Sequence, residues 1–166
     1  AFSRCGVMFF PDPVAAFSSI ARAIKPDGHL GFVCFASPTA NPFIVAPVMA
    51  AAAVLDLPPP PGPGEPSPFS LAEPDRTSDL LEAAGLTDVE IAPGPNEGLL
   101  YGASDLEQLA ERVLEQNPGT AGRLAAVEPQ LRSAAIDAAA EVLAGHRKGD
   151  IVRMGASTWI VTARRR

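Results

Sequence analysis

Two apolar segments separated by one amphipathic stretch constrain the fold of this chain more than anything else in it. Residues 2–5 read as the end of a strand. Asp12 then offers an N-cap, with Pro13 at the first helical position, where its missing N–H costs nothing. Val14, Phe17, Ile20, Ala21 and Ile24 recur at helical spacing and make one apolar stripe. Lys25-Pro26-Asp27-Gly28 stops the helix and turns the chain. The seven residues His29-Leu30-Gly31-Phe32-Val33-Cys34-Phe35 are nearly all apolar, as expected of a strand buried on both faces of a parallel sheet. Strand, helix and strand in that order imply a right-handed crossover and an α/β fold.

Beyond residue 35 the pattern changes. Asn41-Pro42-Phe43 opens a helix through residue 55, kinked or started at Pro47. Eight of the 18 prolines then fall between Pro58 and Pro74. Their Pro58-Pro59-Pro60-Pro61 core predicts extended polyproline II, read as a stiff surface linker because no basic residue flanks it as a Pro-motif ligand would want. Glu73-Pro74-Asp75 starts a helix with Leu80, Leu81 and Ala84 inward and Gly85 as its stop. Residues 86–91 read as a strand, and residues 97–101 as a further short one. Ser104 caps a helix carrying Leu106, Leu109, Ala110, Val113 and Leu114, with Glu107 completing a capping box. Pro118-Gly119 breaks it. Helical pattern resumes over residues 122–127 and again from Pro129 to Leu143, ending at Gly145. Residues 158–163 are β-branched and aromatic, and read as a closing strand.

Composition excludes some functions. The 166 residues suffice for one domain, and 47% apolar with 19% charged is ordinary for a globular protein. A net charge of -6 argues against nucleic acid, since phosphate binding needs a basic field. The only basic cluster, Arg164-Arg165-Arg166, reads as a solvated tail. No apolar run approaches the ~20 residues that span a bilayer, and no signal peptide is visible. Cys5 and Cys34 lack CxxC spacing and read as buried thiols of a reducing, cytoplasmic compartment, with no metal site. His29 and His146 have no partner motif and read as structural.

Two phrases carry a resemblance. Ala1-Phe2-Ser3-Arg4-Cys5-Gly6-Val7-Met8-Phe9-Phe10-Pro11-Asp12-Pro13, followed by a helix and strand, resembles the middle of a class I S-adenosylmethionine-dependent methyltransferase related to the ubiquinone and menaquinone biosynthesis enzymes. Leu80-Leu81-Glu82-Ala83-Ala84-Gly85-Leu86-Thr87-Asp88-Val89 is similar to the segment before the sixth strand of those enzymes. The resemblance implies the C-terminal half of a Rossmann-like methyltransferase sheet, with a helical insertion and an antiparallel closing strand. It divides residues 1–166 into a strand-helix-strand portion (1–35), a Pro-rich lid or linker (36–74) and a helix-strand, insertion and closing strand (75–166). It also implies that residue 1 is not a natural start.

What the resemblance leaves out matters as much. The family binds S-adenosylmethionine with a glycine-rich turn and a ribose-holding acid after its first strands, and neither is in this sequence. Gly62-Pro63-Gly64 is a lone GxG inside a proline loop and is not that turn. By resemblance the chain keeps the far wall of the cofactor pocket, Ser3, Arg4, Cys5 and Gly6, with Gly6 suited to close approach of the ligand; a plain strand end is the competing reading. The acceptor would meet the segment 37–69, with Asn41, Phe43, Met49 and Phe69 as candidates; the core of a helical cover is the competing reading. Such an apolar lid suits a small or lipophilic acceptor. No catalytic side chains are implied, because the sulfonium itself carries the activation.

The implied partners are a small-molecule acceptor and whatever meets the strand at residues 2–5, whose outer edge is expected to self-associate, to pair with the missing N-terminal half, or to fray. The rival reading is a non-catalytic α/β module that binds a partner or an apolar ligand through the Pro-rich lid. A glycine-rich strand-turn-helix encoded upstream of Ala1 would decide for the enzyme.

Overall fold

The computed structural model describes residues 1–62, 64–94, 99–102 and 104–166. Along the chain lie β1 (Phe2–Arg4), α1 (Pro13–Ala23), β2 (His29–Phe35), α2 (Pro42–Leu55), α3 (Pro74–Ala83), β3 (Leu86–Pro93) and β4 (Leu99–Gly102). They are followed by α4 (Leu106–Gln116), α5 (Pro118–Ala126), α6 (Pro129–Ala144), β5 (Arg147–Lys148), β6 (Ile151–Met154) and β7 (Thr158–Arg165). The fold is mixed α/β. The described residues form two compact units, one drawn from Ala1–Ala40, Pro61–Asn96 and Ser157–Arg166, the other from Asn41–Pro60 and Glu97–Ala156.

The first unit is a four-stranded sheet in the order β1-β2-β7-β3. β1 runs parallel to β2, with Ser3 beside Phe32, and α1 is the crossover between them. β7 returns from the far end of the chain to lie antiparallel between β2 and β3, with Phe32 beside Val161 and Val161 beside Ile91. A bulge between Thr87 and Glu90 interrupts β3, and Asp88 within it takes a left-handed φ of 53°, a place where a short polar side chain is tolerated.

The core of this unit collects Phe17, Leu30, Phe32, Cys34, Leu81, Leu86 and Val161. Phe17 is 0% exposed, and its ring meets Phe10 edge-on at 5.8 Å and Phe32 at 5.5 Å. The α1 stripe is narrower than its spacing suggests. Phe17, Ala21 and Ile24 are buried, Ile20 is half-buried, and Val14 is 38% exposed. Val14 is the second residue of the helix and lies at its end, beyond the reach of the core.

β2 also differs from expectation. Leu30, Phe32 and Cys34 are buried, but the alternate residues Gly31, Val33 and Phe35 are only half-buried. The strand is apolar on both faces, yet only one of them is dry.

The terminal arginines are not a loose tail. Arg164 and Arg165 belong to β7. Arg164 pairs with Asp27 at 2.8 Å, and the Arg165 guanidinium donates to the Arg22 and Ile24 carbonyls at the end of α1. Cations suit a helix C-terminus, where carbonyls are left without intrahelical partners. In the turn before β2 the left-handed residue is Asp27 at φ 61°. Gly28 serves a different need, since a Cβ there would come within 2.5 Å of Ile24 Cγ2 and 2.8 Å of the Lys25 carbonyl.

The second unit is mainly helical. α2 runs through Pro47 without ending there, and it packs along α6. Ala135, Ala139 and Leu143 of α6 are fully buried. Asp105, not Ser104, caps α4, its carboxylate accepting from the Gln108 N–H at 3.0 Å. Asn117 ends α4 and caps α5, accepting from the Gly119 N–H at 2.9 Å, so α5 starts at Pro118, four residues before the expected Gly122. Arg132 of α6 reaches Glu111 at 2.7 Å and Glu115 at 2.9 Å on α4. A small antiparallel sheet in the order β4-β6-β5 completes the unit. Of the short strand expected over residues 97–101, Glu97 and Gly98 lie outside the described residues, as does Pro63 of the GxG sequence. Residues 57–62 hold neither helix nor strand.

Candidate functional site

An open α/β sheet offers ligands the carboxyl ends of its parallel strands. In the sheet unit these are the residues that follow Arg4 and Phe35. The Cys5 N–H still donates to the Val33 carbonyl at 3.0 Å, so the ladder runs one residue past β1. The chain then turns sharply at Cys5, whose φ is 55°. The left-handed position thus falls on the cysteine, while Gly6 has φ -101° and ψ -28°. What Gly6 avoids is contact: a Cβ there would lie 3.2 Å from Ser3 Oγ. Ser3, Arg4, Cys5 and Gly6 therefore form one tight bend, in which Arg4 and Gly6 are exposed and Ser3 and Cys5 half-buried.

A second strip of chain is tied to this bend. The Met8 carbonyl, in the 3-10 turn Val7–Phe9, accepts from Ser70 Oγ at 2.5 Å and from the Ser67 N–H at 3.3 Å. The Phe69 ring lies 6.4 Å from that of Phe35, at the end of β2. The Leu71 carbonyl accepts from Thr77 Oγ1 at 3.2 Å and from Cys34 Sγ at 3.6 Å, and the Ala72 carbonyl accepts from the Trp159 indole at 2.8 Å. Residues 67–72 are thus fastened to the carboxyl ends of both parallel strands. Sequence reading singled out Phe69 alone here. Trp159 was the available clue, because a partly buried indole N–H needs an acceptor.

The remaining acceptor candidates lie in the helical unit. Asn41 is fully buried at the N-cap position of α2, its carbonyl accepting from Ile44 and Val45. Phe43 is buried and Met49 is 51% exposed, so they occupy different environments along one helix.

Electrostatically the bend is plain. Burial pushes the Cys5 thiol up, with Arg4 opposing it. Burial, reinforced by Cys5, pushes the Cys34 thiol up to about 12. Neither is a thiolate at neutral pH, so neither is a ready nucleophile. Among the described residues no group of three His, Cys, Asp or Glu side chains could hold a metal. No described helix is long and apolar enough to cross a membrane. The site offers backbone amides, one hydroxyl, one guanidinium and an aromatic pair. Such groups bind and orient; they do not form an acid–base couple.

No family model matches the chain, and no curated protein matches it. Solved structures resemble it at low identity. One is a protein of Bacillus halodurans assigned provisionally as a methyltransferase (14% identity, TM-score 0.44, covering 98% of this chain and 67% of that one). Another is the YcgJ protein of Bacillus subtilis (14%, TM-score 0.45, covering 99% and 62%). A third is phosphoethanolamine N-methyltransferase 2 of Haemonchus contortus, in complex with phosphomonomethylethanolamine and S-adenosylhomocysteine (15%, TM-score 0.41, covering 99% and 32%). This chain therefore spans about a third to two-thirds of the length of those proteins. At this level the likeness carries no residue-by-residue correspondence.

Proposed function

We propose that this chain is the far wall of an S-adenosylmethionine-dependent methyltransferase of the ubiquinone- and menaquinone-related kind, acting on a small-molecule acceptor. The observation that carries the reading is the strand order: a parallel pair β1-β2, then an antiparallel last strand β7 set between β2 and β3. The two sequence phrases ask for that arrangement, since they make β1 the fourth strand, β3 the sixth and β7 the closing strand of such a sheet.

The residues fit the cofactor on one side only. The bend at Ser3, Arg4, Cys5 and Gly6 has exposed backbone, a hydroxyl and a glycine at a tight approach. The glycine-rich turn and the ribose-holding acid do not occur in this sequence, and in this proposal they come from a separate half of the sheet. When bound, the cofactor supplies an already activated methyl group. The chain's share is to close one side of the pocket and to hold the acceptor; Phe35 and Phe69, at the same end of the sheet unit, present an apolar surface for that. Asn41, Phe43 and Met49 belong to the helical unit and take no part in this proposal.

The test is a titration of the labelled chain with S-adenosylhomocysteine, followed by amide chemical shifts. We expect weak, saturable changes confined to residues 3–6 and 34–37. Changes centred elsewhere, or none at millimolar ligand, would overturn the reading.

A further inference from the structure

We propose that Cys5 and Cys34 are a redox pair, joined by a disulfide across β1 and β2 when a small disulfide such as oxidised glutathione is the oxidant. The inference does not rest on the methyl-transfer reading, nor on what meets the other edge of β1, because both residues belong to the β1–β2 pairing. It begins with register. Phe2, Ser3 and Arg4 stand beside Gly31, Phe32 and Val33. The Cys5 N–H then donates to the Val33 carbonyl at 3.0 Å, the bond a parallel ladder makes when residue 5 stands beside residue 34. Neighbouring strands lie about 4.8 Å apart, within the Cα separation of about 4.4–6.8 Å that a disulfide spans.

The side chains converge as well. Cys34 belongs to the core of the sheet unit, and Cys5 packs against that same core. The two thiols are close enough for charge on Cys5 to raise the pKa of Cys34. They are the chain's only two cysteines, and both are free thiols. Cys34 is held inside the sheet, paired across to Trp159 of β7. Cys5 lies one residue past β1, in a turn at φ 55°, so it can adjust toward Cys34 without disturbing the strands.

The order of events follows from exposure. Cys5 is half-buried and Cys34 is 0% exposed, so the oxidant meets Cys5 first. The Cys5 thiolate attacks one sulfur of oxidised glutathione, forms a mixed disulfide and expels a glutathione thiolate, which takes up the Cys5 proton. Cys34 then gives up its proton and attacks Cys5 Sγ from within the core, expelling the second glutathione, which takes that proton. Two protein thiols lose two electrons in all, and one glutathione disulfide becomes two glutathione thiols. Burial keeps both protein thiols protonated at neutral pH, so the exchange is slow.

Oxidation reaches the candidate site in two ways. The Cys34 thiol donates to the Leu71 carbonyl at 3.6 Å, and a disulfide has no S–H to give. Residues 67–72 therefore lose one tie and keep those to Met8, Thr77 and Trp159. At the same time the bend of residues 3–6 becomes covalently fixed to β2.

The full chain, equilibrated with glutathione buffers of graded ratio, is acid-quenched and weighed by mass spectrometry. We expect a monomer that has lost two hydrogens, with an unchanged far-UV spectrum. Its equilibrium constant for oxidation should be about a hundredfold larger in native buffer than in concentrated urea, because the fold holds the thiols together. Amide shifts should move around residues 4–6, 33–35 and 71–72. Cys34→Ala should stop at the mixed disulfide, and Cys5→Ala should resist glutathione while folded. A native equilibrium constant no larger than that in urea overturns the proposal, since the fold would then oppose the bond. So does a wild-type chain that stops at the mixed disulfide, or one that forms disulfides only between copies.

Discussion

The two units of this chain are specified in different ways. In the helical unit each helix carries its own start signal: Asp105 for α4 and Asn117 for α5, with a proline at the first or second position of α2, α5 and α6. In the sheet unit α1 and α3 start in the same way, but the strands depend on partners far away in sequence. β7 lies more than 120 residues beyond the β2 strand it pairs with, and Arg165 closes the end of α1 from a separation of 141 residues. Local coding lets helices form and then pack; non-local pairing requires the ends of the chain to meet first, at a cost in loop closure. The sheet unit should therefore be the more sensitive of the two to single changes in its core.

The largest effect expected follows from that contrast. Phe17→Ala removes a fully buried ring that touches Phe10 and Phe32, and should cost about 3–5 kcal/mol. Hydrogen exchange should show the loss first in α1, β2 and β7, with α4 and α6 keeping their protection longer. Equal loss in both units would mean that they unfold as one.

Alkaline pH offers a second contrast. The folded Cys34 thiol is raised to about 12 from an ordinary 9.0, and burial is the main cause. A group raised in this way contributes its full stability below pH 9, and loses it as the pH climbs toward 12. The sheet unit should weaken over that window, and Cys34→Ala should flatten the decline. An unchanged slope in that variant would show that the thiol is not responsible.

In the helical unit, Asp105→Ala removes the cap on Gln108 and should cost about 1 kcal/mol, read as earlier fraying of α4. Ser104→Ala should do almost nothing, which sharpens the assignment of the cap. The smallest effect is a gain. Cys5→Gly relieves a left-handed bend at φ 55° and should raise stability by up to about 1 kcal/mol, less whatever packing its half-buried side chain provides. A clear loss would mean that packing outweighs backbone strain there.

How much of this was legible in the sequence depends on the range of the interactions. α1, β2, α2, α3, α6 and β7 were readable, because periodicity, apolar runs and helix stops act within a few residues. β5 and β6 were not. Arg147–Lys148 is too short and too charged to look like a strand, and it pairs only because the chain turns back at Gly149, φ 61°. The cap was misplaced by one residue because Ser104 and Asp105 are both good caps, and the backbone selects between them. The terminal arginines looked like a tail because their acceptors are Asp27, Arg22 and Ile24, more than a hundred residues upstream. At the candidate site the bend of residues 3–6 is readable as the end of a strand, but the left-handed turn falls on Cys5, a residue whose type gives no sign of it. The tie to Ser67 and Ser70 was invisible, since a serine that will bond to a remote carbonyl looks like any other loop serine.

In the function proposed above, the chain supplies one wall of a cofactor pocket and another part of the sheet supplies the glycine turn and the ribose-holding acid. Calorimetric titration of the isolated chain with S-adenosylmethionine tests that most directly. We predict a dissociation constant of about 1 mM, roughly 4 kcal/mol of binding, as befits a backbone bend without a glycine turn or a ribose-holding acid. A micromolar constant would contradict the account, because residues 1–166 would then hold a complete binding site that neither the bend at Ser3–Gly6 nor the strand order explains.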